Sequence, residues 1–216
     1  MGRSVQEIQE KASELIELVK TRSEGRATLL PITKGFSVRE IEAVLGVGLV
    51  GIGESYAQEL LRKSKEISDS AVKWHMVGNI QRNKVRKLSP VIELWHSVYR
   101  KEIIDEISKH KNDAKILIQV DMNARHTQGG CRPHDVSLLL DYANERGLKV
   151  EGLMTIGVNQ NIVETKESFL ALSKMSENLG LKEVSMGMSD DFEIALECGA
   201  TILRVGRGIF GERENK

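Results

Sequence analysis

The sequence predicts a single α/β domain spanning residues 1–216, built as a (β/α)8 TIM-type barrel with an extra N-terminal helix. Three observations predict it. Eight short apolar runs rich in β-branched residues recur along the chain. Segments of helical spacing separate them, so strands alternate with helices, as βαβ units in a parallel sheet require. No Pro/Ser-rich linker divides the chain, and its three prolines (Pro31, Pro90, Pro133) fall at element edges. Eight units suggest closure into a barrel near the short end of the usual size range. An open doubly wound sheet is the alternative that periodicity leaves standing.

The elements follow in order. Val5, Ile8, Ala12, Leu15, Ile16 and Val19 recur at helical spacing and give an amphipathic first helix. Strands are expected at 27–33, 48–53, 72–78, 93–98, 115–122, 149–156, 183–188 and 201–205. Helices are expected between them at 38–45, 56–64, 83–88, 101–109, 133–145, 164–179 and 190–198. The chain shows no internal repeat and no low-complexity tract.

Composition narrows the function classes. Lys plus Arg and Asp plus Glu both number 31, and this neutral balance argues against a nucleic-acid partner. With 40% hydrophobic and 29% charged residues, the chain reads as an ordinary soluble globular protein. Cys131 and Cys198 form no CxxC pair, which suits a reducing cytosol and supports neither a zinc site nor a disulfide framework. The charged N-terminal segment is expected to be neither a signal peptide nor a membrane span, and position 6 lacks the Ser or Thr of a myristoylation motif. The expectation is a cytoplasmic protein with no metal and no membrane partner. A monomer is expected, because no helix shows a second apolar face.

In a (β/α)8 barrel the chemistry sits at the C-terminal ends of the strands. Those ends carry Lys34, Glu54–Ser55, Gly78–Asn79, His96, Asp121–Asn123, Met154–Thr155, Ser189 and Gly206–Arg207. Lys34, in LLPITKGF, ends the first strand. Desolvation there would lower its pKa towards a nucleophilic amine, while the plainer reading is a surface lysine. In GMSDDFEIALECG, Ser189 is read as a strand end and Asp190 with Glu193 as a capping box, whose helix start could bind phosphate or be an ordinary cap. In LRVGRGIFG, Gly206, Gly208 and Gly211 let backbone amides approach a ligand. The two turns fall in the loops after strands seven and eight, where barrel phosphate sites frequently lie. His75, His96, His110, His126 and His134 show no metal-ligand spacing, and His75 reads as a packed strand residue. RNKVRK reads as a solvated helix face, and GxSxG is absent.

The segments LLPITK, GIGESYAQE, WHMVGNIQRNK, ILIQVDMN, VEGLMTIG and VSMGMSDDFEIALECGATILRVGRGIFG together resemble the pyridoxal phosphate homeostasis family over nearly the whole chain. That family is similar in fold to the N-terminal barrel of alanine racemase. The resemblance implies pyridoxal 5′-phosphate (PLP) held as a Schiff base on Lys34. It implies that Ser189 and the backbone around Gly206 and Arg207 bind the phosphate, that Arg204 faces the pyridine nitrogen, and that Met154 and Ser55 line the cofactor. A guanidinium has only donors and stays charged, so it keeps that nitrogen unprotonated and the ring a weak electron sink. The family pattern is GENY where this chain has GESY, so Ser55 replaces an asparagine. Arg207 stands where Thr or Ser is common, and NARHTQGG lacks the lysine that tends to precede the glycine.

The implied role is reversible holding of PLP and its delivery to PLP-dependent apoenzymes, without efficient catalysis. Racemisation needs a second base, which in alanine racemase comes from a C-terminal domain. Here the sequence runs six residues past Phe210, and Tyr56, the one tyrosine near the mouth, is expected to pack beneath a loop. The alternatives are a small PLP-dependent amino-acid racemase, a lysine Schiff-base sugar-phosphate aldolase and an interaction scaffold.

Overall fold

The computed structural model describes residues 3–67, 69–124, 128–158 and 161–212. The elements run α1 (Val5–Arg22), β1 (Thr28–Pro31), α2 (Val38–Leu45), β2 (Gly51–Glu54), α3 (Ala57–Glu66), β3 (Lys73–Met76), α4 (Arg82–Leu88) and β4 (Ile92–Val98). They continue as α5 (Lys101–His110), β5 (Lys115–Gln119), α6 (Val136–Glu145), β6 (Lys149–Met154), α7 (Ile162–Asn178) and β7 (Glu183–Ser185). The last are α8 (Phe192–Glu197), β8 (Ile202–Val205) and α9 (Arg207–Phe210). Each expected run overlaps one strand, with β2 and β4 each reaching one residue beyond it.

The strands lie side by side in the order β1-β8-β7-β6-β5-β4-β3-β2, all parallel. A bridge between Ile32 and Gly53, with Thr33 N donating to Gly53 O at 3.0 Å, joins the two edges and closes the barrel. Leu30, Ile32, Leu94, Leu117, Met154 and Ile202 form a buried cluster inside it. A larger apolar layer, including Ile41, Leu60, Val85, Ile104 and Phe169, lies between strands and helices. The helices therefore bury one stripe each against the outer face, as α4 does with Val85 and Leu88 while its basic residues stay in water.

The extra helix α1 starts at a complete capping box: Ser4 Oγ accepts from Glu7 N, and Glu7 returns to Ser4 N. It buries Ile8, Ala12, Leu15 and Val19. Just before it, Arg3 Nη1 donates to Gly208 O at 2.7 Å and to Ile209 O at 2.6 Å. The first helix is thus tied to the turn that follows the last strand.

Three local expectations are corrected. Strand β7 stops at Ser185, because Gly187 takes φ 87° and leads the chain into a loop, so Ser189 stands beyond the strand and not at its end. Helix α8 begins two residues later than expected. Its cap is Asp191, whose Oδ1 accepts from Met188 N, and Glu193 pairs with Arg22 at 3.1 Å instead of closing a capping box. Tyr56 is 59% exposed and does not pack beneath a loop.

Candidate functional site

Lys34 follows β1 by three residues and is half-buried. Both of its chain neighbours are tied to one buried ionic network. Lys63, on α3, has a fully buried side chain whose Nζ donates to Thr33 O at 2.7 Å, Glu54 Oε1 at 2.6 Å and Glu59 Oε1 at 2.7 Å. Thr33 Oγ1 donates to Glu54 Oε1 at 2.5 Å, and Gly35 N donates to Glu59 Oε1 at 2.8 Å. Gly35 holds φ 78°, a conformation that glycine adopts without the strain of a Cβ. The backbone on either side of Lys34 is therefore pinned from below. The strand-end reading groups Glu54 with the mouth residues. Strand alternation turns it to the outer face, where burial raises its carboxyl pKa against the opposing pull of Lys63.

On β8, Arg204 pairs in register with Leu30 of β1 and is 5% exposed. Its Nη1 donates to Ser185 Oγ at 2.7 Å and its Nη2 to Thr155 O at 2.8 Å. Ser185 Oγ also meets His96 Nδ1 at 3.0 Å, and His96 Nε2 meets His75 Nδ1 at 2.9 Å. Burial lowers the Arg204 pKa to about 10, with Asp191 opposing. Burial likewise holds both imidazoles neutral: His75 is pushed down to about 4, and His96 falls well below the ordinary value, helped by His75 and Arg204. A polar line thus crosses the barrel interior beside the apolar cluster around Leu30, Leu94 and Leu117.

The glycine-rich turn after β8 forms the short helix α9, which the sequence reading had not separated from the loop. Ser189 Oγ accepts from Gly208 N at 3.1 Å, so the two phosphate-type turns are joined. A Cβ on Gly208 would stand 2.7 Å from Val205 Cγ1, and one on Gly206 3.2 Å from Ile32 O, so both glycines permit close backbone approach. Arg207 directs its guanidinium to Asp190, with Glu212 at 3.7 Å. Met154 is 1% exposed at the end of β6, while Ser55 is half-buried just after β2.

Met154, Ser189, Arg204, Gly206, Arg207, Lys34 and Ser55 come from β6, β7, β8, β1 and β2 or the loops directly after them. In the sheet order these are five consecutive strands, so the residues share one arc of the mouth. Residues 125–127 of the NARHTQGG loop lie outside the described residues. Among the described residues no group of three or more His, Cys, Asp or Glu side chains could hold a metal ion, and no helix is long and apolar enough to cross a membrane.

Sequence reasoning missed Ser185 and Lys63. Glu59 and Lys63 are an i,i+4 pair, a signal that normally marks a solvated helix face. Ser185 carries no motif. A further feature was also unmarked: a cavity of about 780 Å³ at the opposite, N-terminal end of the barrel, lined by residues such as Gly51, Lys73, His75, Glu93 and Lys115.

Comparison with known proteins decides the family. Over 205 residues the chain is 38% identical to the pyridoxal phosphate homeostasis protein of Aquifex aeolicus, covering 89% of this chain and 90% of that one. The chain belongs to the pyridoxal phosphate homeostasis protein family. The member from Pseudomonas aeruginosa is 31% identical over 226 residues, covering 99% of this chain and 97% of its own. Among solved structures, PipY of Synechococcus elongatus, with PLP bound, superposes with a TM-score of 0.85 at 26% identity, covering 94% of this chain and 100% of PipY. Alanine racemase from Streptomyces coelicolor shares the fold, with a TM-score of 0.73 at 16% identity over 95% of this chain and 58% of the racemase. The family thus joins the barrel described above to the alanine racemase type of fold. No general family model matches the chain.

Proposed function

We propose that this protein binds pyridoxal 5′-phosphate at the barrel mouth and serves PLP homeostasis in the cytoplasm, holding the cofactor reversibly and passing it to PLP-dependent apoenzymes. The observation that carries this reading is the arc itself. Five consecutive strands bring an amine, a donor-only guanidinium and a serine–glycine turn to one rim. Family membership supports it, as does the bound PLP in PipY.

The residues suit the group. Lys34 supplies the amine that condenses with the cofactor aldehyde, releasing water. Ser189 and the amides around Gly206 and Arg207 receive the phosphate, while Met154 and Ser55 line the ring. Arg204 spends one N–H on Ser185 and one on Thr155, and a guanidinium carries five donors, so it can still donate towards a ring nitrogen. When bound, PLP supplies an electrophilic carbon and an electron-accepting ring. Arg204 offers that ring no proton acceptor for a pyridinium, so the site favours holding over carbanion chemistry. The domain acts as a monomer with no metal and no nucleic-acid or membrane partner.

The test is an absorption spectrum of wild type and Lys34→Ala after adding PLP and removing the excess. A visible band in wild type, absent in the variant and fixed to Lys34 by borohydride, supports the reading. A wild type without the band removes it and favours a sugar-phosphate Schiff-base barrel.

A further inference from the structure

We propose that the cavity at the base of the barrel is a second ligand site, one that takes a small oxyanion through its carboxylate or phosphate oxygens. The argument begins at the other end of the polar line. Arginine only donates, so Ser185 Oγ must accept from Arg204 Nη1. Ser185 is fully buried, and its other partner is His96 Nδ1. The serine proton therefore goes to His96 Nδ1, since Ser185 Oγ has no other acceptor among the described residues and a buried hydroxyl left undonated is costly.

The rest follows by elimination. A neutral imidazole carries one N–H, so His96 holds its proton on Nε2 and gives it to His75 Nδ1. His75 in turn holds its proton on Nε2. That atom lies 3.7 Å from where a Cβ on Gly51 would stand, and Gly51 and His75 both line the cavity. Four side chains in series thus deliver one outward-facing N–H donor to the cavity floor. A chain of donors pointing one way is polarised along its length and favours an acceptor at its end.

The walls agree in sign. They carry five cationic side chains against three carboxylates, so the cavity favours an anion over a cation. Glu93 is held by Lys115 at 2.5 Å and Glu183 by Thr201 at 2.5 Å, whereas Lys73 and Lys182 form no ion pair among the described residues. Glu93 on β4 and Lys73 and Lys115 on β3 and β5 are the charged groups that face His75, with His96 behind it. Apolar side chains including Leu30, Leu94 and Ile202 complete the lining and exclude water from one side.

The site is independent of the cofactor reading, and its test keeps the two apart. In the 15N-labelled full chain, long-range proton–nitrogen spectra should show His75 and His96 as neutral Nε2–H tautomers. Inorganic phosphate, the probe, should shift the His75 ring resonances saturably. Lys73→Gln/Lys182→Gln, at two exposed positions, should weaken that shift about tenfold, roughly the loss of two partly solvated charge contacts. Ser189→Ala, which removes a mouth group, should leave it unchanged. An absent or unsaturable shift, or one equal in the double lysine variant, overturns the proposal. So does a shift lost in Ser189→Ala, which would mean that phosphate acts from the mouth only.

Discussion

Lys63 Nζ lies 2.6 Å from Glu54 Oε1 with both side chains wholly shielded from solvent, and the pair sits directly under the loop that carries Lys34. Two buried charges offset their lost hydration through each other and through Thr33 and Glu59. Lys63→Met leaves the Glu54 carboxylate buried without its counter-ion and is expected to cost about 3–5 kcal/mol. Glu54→Gln added to that variant should recover part of the loss. Urea unfolding of the two variants checks this, and a cost for the single variant below about 1 kcal/mol would show that the pair does not hold the loop.

The histidine line predicts acid sensitivity. The folded state keeps His75 at about 4 against an ordinary 6.5, so the unfolded chain binds the proton more readily between those values. Stability from this group is full above pH 6.5 and falls as pH drops towards 4, by up to about 1.4 kcal/mol per pH unit. His96 acts in the same direction. His75→Gln should flatten the slope of unfolding free energy against pH, and parallel slopes in the two proteins would contradict the assignment.

At the serine–glycine turn, Gly208→Ala places a Cβ about a bond length too close to Val205, which is fully buried and cannot retreat. Overpacking of this kind costs roughly 1–3 kcal/mol. Because the strain falls on the amide that Ser189 accepts from, PLP affinity should drop at least tenfold in titration while the fold survives.

Arg207→Ser should behave differently. The Arg207 guanidinium is half exposed and already engaged with Asp190 and Glu212, so its loss is expected to cost under about 1 kcal/mol in stability. PLP affinity should change by less than about fivefold, the equivalent of that same energy. A larger loss would mean that the guanidinium leaves its acidic partners to meet the phosphate.

Most of the barrel was legible because each strand is a short β-branched run and each helix has one apolar stripe, and local periodicity records both. Candidate residues were legible where a chemical group coincides with a strand end, as at Lys34 and the Gly206–Gly208 turn, whereas Arg204 was reached only through the family resemblance. It was not legible at Glu54, whose side faces outward by alternation, or at Lys63, which looks in sequence like any solvated i,i+4 partner of Glu59. Ser185 and His75 lie inside the barrel, and their roles arise from strands that are distant in sequence. Ser189 was placed on a strand because VSMGMS reads as a continuous apolar run, whereas the positive φ of Gly187 ends the strand early.

The pairing of β1 with β8, which sets Leu30 beside Arg204, has a consequence for biosynthesis. During translation Lys34 leaves the peptidyl transferase centre about 170 residues before Arg204, a gap of roughly 10 to 30 s at ordinary elongation rates. Throughout that interval the first strand has no partner on one side, and Arg204 is missing from beside Leu30. Under the proposed function, a nascent chain therefore presents Lys34 without a finished cradle, and the competence to retain PLP arises in a single late step when the final strand docks.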